Sequence, residues 1–410
     1  MRVADHWRLE CAECGARFES DPPGFACPKC DGLLQLVRNQ DDPLTRSELF
    51  GRTGEGIWRF RASLPFGSDI TPDSLREGGT PLIKTRNISR DVGLTNLYVK
   101  YEGQNPTGSF KDRGMTVSVT RALQAGARAL ICASTGNTSA SMSAYAARAG
   151  VKAVVVVPSG KVAAGKLVQA VAYGATIIKT DGTFDDALSL TIKATSSLQG
   201  FCLMNSVNPY RIEGQKTVAF EIYEQLGFAV PDYVVLPVGN AGNLTAVWKG
   251  FKEMKEHGIT DRLPRMVGVQ AEGAAPIARA FWKGADTATP IADPRTVASA
   301  IRIGNPASAK KALRALKESN GMVLTVTDDE IVQARLALAA REGIFVEPAS
   351  ATPVAAMKEI GGRLEKGAVV VCIATGNGLK DQETVMMDLD KSPTVSDAQG
   401  LVGLLGRLAG

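Results

Sequence analysis

The sequence predicts an α/β protein with two domains built on parallel-type sheets, a cleft between them and a small N-terminal four-cysteine ribbon. First, apolar β-branched runs without alternation, such as 151–157 and 233–237, are typical of strands buried on both faces. Second, each run precedes a turn rich in Gly, Ser or Thr and then an Ala-rich helical stretch, an alternation that predicts parallel sheets. Third, this pattern comes in two blocks, and 410 residues exceed the roughly 250–300 at which one core stops growing.

Composition excludes several classes of protein. The chain is 44% hydrophobic and 22% charged, with a net charge of +5 and no long Lys/Arg run, which disfavours nucleic-acid binding. No apolar run approaches the roughly 18 residues of a membrane span, and the N-terminus lacks the apolar core of a signal peptide. We therefore expect a cytoplasmic chain with reduced cysteines, in which regular cysteine spacing indicates a metal before a disulfide.

The order of these patterns predicts the domain organisation. Strands predicted at 127–133, 151–157 and 176–180 alternate with helices predicted at 139–149, 161–173 and 184–198. We expect, in chain order, a cysteine module at 1–38, a connecting segment at 39–79, a small α/β domain at 128–210, a large α/β domain formed by 80–127 and 211–390, and a C-terminal tail at 391–410. Trp58 and Phe60 are expected to fix the connecting segment to the main body.

Two cysteine pairs dominate the N-terminal module. Cys11 and Cys14 are separated by two residues, as are Cys27 and Cys30, with twelve residues between the pairs. Each pair can supply two thiolates from one turn, and four soft ligands complete the tetrahedron of a structural zinc. The alternatives are a ribbon that has lost its metal, or a ribbon that contacts nucleic acid. A complete ligand set disfavours the first, and the scarcity of basic residues between Cys11 and Cys30 disfavours the second.

Lys111 lies in the most informative segment, N-P-T-G-S-F-K-D-R-G at 105–114. Pro106 and Gly108 interrupt regular structure, which places Lys111 where a loop enters a helix. A nucleophilic lysine must be partly neutral, although a free lysine titrates near about pH 10.4. Burial and a neighbouring cation such as Arg113 are expected to lower its pKa. The alternative is a solvated lysine on a helix face.

A glycine-containing turn follows the strand predicted at 233–237 and opens a helix. Its glycines allow backbone N–H groups to approach a phosphate, and the helix N-terminus adds partial positive charge. The pattern matches neither a P-loop nor a dinucleotide fingerprint, and an ordinary strand-to-helix turn is the alternative. The residues of the turn are Gly239, Asn240, Ala241, Gly242 and Asn243.

Two further polar turns follow buried strands. The turn at 134–139, S-T-G-N-T-S, concentrates hydroxyls, an amide and N–H donors that suit a carboxylate; a simple helix cap explains only one of them. Thr375, in A-T-G-N-G, follows the strand predicted at 368–374, at the carboxyl edge where α/β sheets bind ligands. A plain turn is the alternative there.

Together, and in this order, these segments resemble the threonine synthases of the tryptophan-synthase-β-like fold. The segments E-G-G-T-P-L at 77–82 and N-S-V-N-P-Y-R at 205–211 match as well, and the resemblance covers residues 55–385. A cysteine ribbon before the catalytic body also occurs in that family. The resemblance implies pyridoxal 5′-phosphate (PLP) fold type II, with the cofactor in the cleft between the domains, a zinc-ribbon-like N-terminal module and a homodimer.

The resemblance also implies a role for individual residues. Lys111 matches the lysine that binds the cofactor covalently, Asn137 the residue at the ring oxygen, 239–243 the phosphate loop, and Thr375 the partner of the ring nitrogen. The positions that match substrate-binding residues are Ser134, Thr135, Thr138, Asn205, Ser206 and Arg211. Arginine suits a phosphate because its planar guanidinium makes two parallel hydrogen bonds.

The implied activity is that of a lyase in threonine biosynthesis, which converts O-phospho-L-homoserine and water to L-threonine and phosphate. Serine or threonine dehydratases, cysteine-forming synthases and cysteate synthase share the lysine and the glycine-containing loops. Arg211 favours a phosphorylated substrate, which disfavours a dehydratase but not cysteate synthase. A zinc-ribbon interaction protein with an inactive body is disfavoured, because neither Lys111 nor the loop at 239–243 is lost.

Overall fold

The computed structural model describes residues 6–22, 25–39, 43–54, 56–159, 164–381 and 393–409. Residues 1–5 of the predicted cysteine module, 161–163 of the helix predicted at 161–173 and 391–392 of the predicted tail lie outside these ranges. The strands are β1 Trp7–Cys11, β2 Arg17–Phe18, β3 Leu34–Arg38, β4 Leu82–Lys84, β5 Asn96–Tyr101, β6 Ala129–Ala133, β7 Lys152–Pro158, β8 Thr176–Thr180, β9 Phe201–Leu203, β10 Tyr233–Pro237, β11 Arg265–Ala271, β12 Met322–Val326 and β13 Val369–Ala374.

The α-helices account for most of the remaining described chain. They are α1 Arg46–Phe50, α2 Asn87–Asp91, α3 Lys111–Gln124, α4 Asn137–Ala149, α5 Ala164–Ala172, α6 Phe184–Ser197, α7 Tyr210–Gln215, α8 Thr217–Gln225, α9 Gly242–Glu256, α10 Pro276–Trp282, α11 Ala309–Glu318, α12 Asp328–Glu342, α13 Pro348–Ile360 and α14 Ala398–Ala409. Among the described residues no helix is both long and apolar enough to cross a membrane.

The larger sheet has six strands in the order β12-β11-β10-β13-β5-β4. All neighbouring strands are parallel except the edge pair β4 and β5. Val234 and Leu236 pack on one face with α8, α9 and α11, whereas Tyr233 and Val235 pack on the other with α12 and α13. Burial on both faces explains why the run at 233–237 is apolar throughout.

The smaller sheet has four parallel strands in the order β8-β7-β6-β9. Leu130 and Cys132 of β6 face α3 and α4, while Ile131 and Ala133 face α6. The apolar side of α3 therefore packs on the smaller sheet, although its residues fall within the predicted large domain. The exact domain limits stay a prediction.

The N-terminal ribbon is an antiparallel three-stranded sheet in the order β2-β1-β3. Its apolar side joins a cluster that also contains Trp58 of the connecting segment. Trp58 is 1% exposed and donates through Nε1 to the hydroxyl of Thr116 at 2.8 Å. Phe60 is fully buried in the core of the larger sheet. Both aromatic residues thus fix the connecting segment, as predicted.

Candidate active site

The predicted functional turns follow the carboxyl ends of strands from both sheets. The loop before Lys111 pairs with the loop after β13: the N–H of Phe110 donates to the carbonyl of Thr375 at 3.0 Å, and the N–H of Asn377 donates to that of Gly108 at 2.9 Å. Ser109 and Gly376 form an antiparallel bridge between these two bonds. Backbone pairing therefore fixes Lys111 and Thr375 relative to one another.

Lys111 is the first residue of α3, at the loop-to-helix entry that the sequence predicts. Its Nζ atom lies 4.3 Å from the centre of the Phe110 ring. Burial, together with the positive charge of Arg211, lowers the pKa of Lys111 to about 7, and the charge of Glu347 acts in the opposite sense. The amine is thus partly neutral near neutral pH, as a nucleophile requires.

Arg113 is not the cation that acts on Lys111, so that expectation is wrong. Its guanidinium turns away and bonds the buried carboxylates of Glu102, at 2.6 and 2.8 Å, and Glu221, at 2.7 Å to each oxygen. Lys100 bonds the same Glu221 at 2.7 Å. The reason is helical geometry, because residues two apart do not share a face. Arg113 instead fixes the first turn of α3 to the larger sheet.

Asn137, the first residue of α4, contacts a carboxylate that the sequence motifs do not reveal. Its Nδ2 atom donates to both oxygens of Glu347, at 2.9 and 3.1 Å. Glu347 is 5% exposed and precedes α13, and burial raises the pKa of its carboxyl. A Cβ atom on Gly376 would lie 2.4 Å from that carboxylate. The available signal in the sequence is an acidic residue just before Pro348, at a helix start.

Thr375 is 4% exposed, and its hydroxyl lies 2.9 Å from that of Ser350. Ser350 Oγ also accepts the N–H of Gly376 at 2.7 Å. Ser350 belongs to the first turn of α13 and lies outside every predicted site segment. It holds the Thr375 hydroxyl in place through a second helix.

The turn between β10 and α9 contains a backbone conformation that is unusual outside glycine. Ala241 has φ +64°, and the first turn of α9 has no side-chain cap. Gly239 is required by space, because a Cβ atom there would lie 3.0 Å from Ile301 Cα. Strained turns of this kind concentrate at ligand sites.

The two asparagines of this turn differ in their contacts. Asn240 is held by the neighbouring loop: its Oδ1 accepts from Ala307 N–H at 3.3 Å, and its carbonyl accepts from Ser308 N–H at 3.1 Å. Asn243 is 8% exposed, and its Nδ2 has no hydrogen-bond partner in the described structure. A Cβ atom added to Gly242 would meet only a side-chain atom of Ile212, at 3.8 Å. The turn therefore keeps donors available for an anion.

The turn that contains Ser134, Thr135 and Thr138 joins β6 to α4, and all three side chains are half-buried. The hydroxyl of Ser134 accepts the N–H of Gly136 at 3.2 Å. Asn205 reaches this turn from the end of β9: its amide accepts from and donates to the backbone of Ala133, both at 2.9 Å. Asn205 thus fixes the turn rather than presenting a free amide.

Ser206 and Arg211 follow Asn205 along the chain, and Ser206 is half-buried. Arg211 lies in α7, is 2% exposed and donates through Nη1 to the carbonyl of Met204 at 3.1 Å. Its Nε has no partner among the described residues. Burial lowers the pKa of Arg211 to about 10. An incompletely bonded, buried guanidinium beside Lys111 is suited to bind an anion.

The four N-terminal cysteines form a separate centre. Their sulfur atoms lie within 4.8 Å of one another, with Cys11 and Cys27 buried and Cys14 and Cys30 exposed. The Cys11–Cys30 and Cys14–Cys27 sulfur distances are 3.4 and 3.7 Å. A tetrahedral zinc with Zn–S bonds of about 2.3 Å requires edges of about 3.8 Å. The group can therefore hold a metal such as zinc, and because all its positions are filled by thiolates the metal would be structural.

Known proteins resemble the chain over most of its length. The family model described as "Pyridoxal-phosphate dependent enzyme" matches residues 74–376. The chain is 50% identical to a threonine synthase of Methanosarcina acetivorans over 96% of both chains. It is also 50% identical to one of Methanocaldococcus jannaschii, over 92% of this chain and 93% of that protein.

Solved structures are similar at lower identity. A crystal structure of a threonine deaminase from T.th. superposes with a TM-score of 0.61 at 28% identity, covering 73% of this chain and 92% of that one. A processed threonine deaminase isoform from Solanum lycopersicum gives a TM-score of 0.63 at 21% identity, covering 90% and 99%, which supports the fold alone.

Proposed function

The chain belongs to the pyridoxal-phosphate dependent enzymes, and we propose that it is a threonine synthase that converts O-phospho-L-homoserine and water to L-threonine and phosphate. Relatives of that name are half identical to it over nearly its whole length. The observation that carries the proposal is the buried Arg211 beside Lys111, because it places an anion-binding group next to a neutral amine.

The residues of the cleft fit the cofactor. Lys111 offers an amine with a lowered pKa for the aldehyde, and the uncapped start of α9 with the unpartnered Asn243 Nδ2 suits the phosphate. Thr375, supported by Ser350, offers a hydroxyl for the ring nitrogen. Asn137, held by Glu347, is proposed for the ring oxygen. When bound, the cofactor supplies an electron sink that stabilises negative charge on the substrate's α-carbon.

Lys111 is proposed as the proton carrier of the reaction. Once the substrate amine has replaced it on the cofactor, its amine, with a pKa lowered to about 7, can take a proton and return it near neutral pH. We propose that it removes the α-proton and then a β-proton. The chain has only two histidines, and neither belongs to the loops described above, so lysine is the suited base.

Arg211 and the turn at 134–138 are proposed to hold the substrate's phosphate and carboxylate. Phosphate leaves from the γ-carbon with its charge balanced by the guanidinium. Ser134, Thr135, Thr138 and Ser206 offer hydroxyls at the rim of the same cleft. Asn205 is proposed to act through the backbone of Ala133, which it fixes.

A product assay tests the proposal against its rivals. Purified enzyme with PLP is given O-phospho-L-homoserine, and phosphate and L-threonine are measured together. Equal release of both supports the proposal. Phosphoserine with sulfite tests for cysteate formation, and L-serine and L-threonine test for deamination. Turnover of either alternative, with none of phosphohomoserine, would reject the proposed activity.

Three broader proposals accompany it. We propose a cytoplasmic location, because four thiolates bind a metal only when reduced. We propose a homodimer, to be checked by sedimentation of the holoenzyme. We also propose that a small molecule, and neither nucleic acid nor a membrane, is the ligand of the chain.

A further inference from the structure

The cysteine ribbon packs directly against the helix that carries Arg211. Tyr210, the first residue of α7, is fully buried in the apolar cluster of the ribbon, together with the metal-ligand candidates Cys11 and Cys27. Phe25 of the ribbon meets the Tyr210 ring edge-on, with centroids 6.5 Å apart. Phe25 has φ +59°, a conformation that a bulky residue keeps only where its surroundings enforce it.

Asp21 of the ribbon joins two helices of the main body. Its Oδ1 accepts the hydroxyl of Tyr210 at 2.9 Å, and its Oδ2 accepts Nε of Arg121 in α3 at 3.0 Å. The Asp21 side chain is 17% exposed and that of Arg121 is 6% exposed, so both groups are largely shielded from water. The start of α7 is thus tied to the ribbon by a charged residue as well as by apolar contact.

The other end of α7 is tied to the ribbon through Lys249. Its Nζ donates to the carbonyl of Leu36 in β3 at 2.6 Å and also bonds Glu213 of α7. The buried Lys216 bonds Glu213 at 2.6 Å, and its Nζ lies 4.7 Å from the ring centre of Trp7 in β1. Ribbon contacts therefore bracket Arg211 on both sides along the chain.

On its opposite side α7 is in contact with α3. A Cβ atom on Gly114 would lie 2.6 Å from the carbonyl oxygen of Arg211, and one on Gly214 would lie 1.8 Å from that of Arg113. The backbones of the two helices touch, so α7 has no free space on that side. A shift of the ribbon would consequently move Arg211 relative to Lys111.

From these contacts we propose that the ribbon positions Arg211, and that Asp21 is the positioning residue through which it sets affinity for the phosphate of the substrate. This inference rests on the proposed function, since it takes Arg211 as the phosphate-binding group. Asp21 touches neither substrate nor cofactor and acts through Tyr210 and α7.

The test is Asp21→Asn in the holoenzyme, with full metal content verified. The KM for O-phospho-L-homoserine should rise about five- to tenfold with kcat within about twofold, the effect of losing hydrogen bonds to a shielded charge. The inhibition constant of inorganic phosphate should rise in parallel. The affinity for L-threonine, read from the visible band of the cofactor, should stay within about twofold, because threonine carries no phosphate.

Two further variants keep the proposal falsifiable if Asp21→Asn folds poorly. Tyr210→Phe removes one donor and keeps the ring, and should raise the same KM about threefold. Glu10→Gln is the matched control, because Glu10 bonds Arg8 and Gln35 within the ribbon, and it should leave every constant unchanged.

A double-mutant cycle with Arg211→Gln isolates the pathway. If Asp21 acts through Arg211, the KM effect of Asp21→Asn should vanish in the Arg211→Gln background. An unchanged KM in Asp21→Asn and Tyr210→Phe, or equal losses of phosphate and threonine affinity, would overturn the inference. Wild-type enzyme that fails to release phosphate from phosphohomoserine would instead reject the proposed function, so the two failures are distinguishable.

Discussion

Asn137 and Glu347 join the two sheets of the molecule, since the Asn137 amide donates to both carboxylate oxygens, at 2.9 and 3.1 Å. Asn137 begins a helix packed on the smaller sheet, and Glu347 precedes one packed on the larger. The positive charge of Lys111 is sensed by the same carboxylate. This contact links the position of an amide to the charge state of an amine.

Glu347→Gln should therefore lower the pKa of Lys111 further, since Glu347 raises it. The rate at which apoenzyme takes up PLP, followed at the visible band, should reach half its maximum at a lower pH than in wild type. Glu330→Gln, which removes an exposed helix-capping carboxylate, is the control and should leave the pH profile in place. An unchanged profile in Glu347→Gln would contradict the prediction.

Arg211→Gln should shift that profile in the opposite direction. The neutral amine of Lys111 reacts with the aldehyde, so uptake by wild type should increase with pH and be half-maximal near the lowered pKa of about 7. Removing the cation raises the pKa, and uptake then requires a higher pH. A midpoint near about pH 10 in wild-type apoenzyme would indicate a solvated lysine instead.

Lys111→Ala should bind PLP without covalent attachment. The purified wild type should be yellow and lose its visible band with borohydride, whereas the variant should not retain label after denaturation. Phosphate release should fall by at least about 10³-fold. A variant that releases phosphate from phosphohomoserine at the wild-type rate would reject the assignment of Lys111.

Gly239→Ala should weaken cofactor binding. The added methyl would lie 3.0 Å from Ile301 Cα and 3.2 Å from Ala300 O, so the loop must shift. We expect PLP affinity, measured by titration of apoenzyme, to fall about tenfold. Gly362→Ala is the matched control, because its Cβ position has no neighbour within 4 Å. Equal affinities in the two variants would show that the turn tolerates a side chain.

Cys27→Ser should release the metal and lower the midpoint of thermal unfolding. Cys27 is fully buried in the cluster that contains Trp58 and Tyr210, so loss of the metal weakens contacts of the main body as well. We expect a fall of about 5 °C or more, with metal content measured on the same samples. Cys202→Ser, at a half-buried position outside the four-cysteine group, should retain its metal.

Local pattern predicts the strands and turns well but not which side chains meet. The strand at 233–237 has the predicted bounds, because burial on both faces leaves a continuous apolar run. Proximity in sequence indicates Arg113 as the cation beside Lys111, whereas the cation that acts on it is Arg211. Glu347 contacts Asn137 across 210 residues of chain, and a single sequence contains no measure of such pairing.

The buried charges around Arg113 restrict how this sequence can change in evolution. Lys100, Glu102, Arg113 and Glu221 are each at most 1% exposed, and every one depends on a partner of opposite sign. Replacing one of them leaves an uncompensated charge, which costs about 3–5 kcal/mol. That is a large share of the roughly 5–15 kcal/mol that separates folded from unfolded proteins. Divergence at these four positions must therefore proceed by paired substitutions, while the surrounding surface can drift one residue at a time.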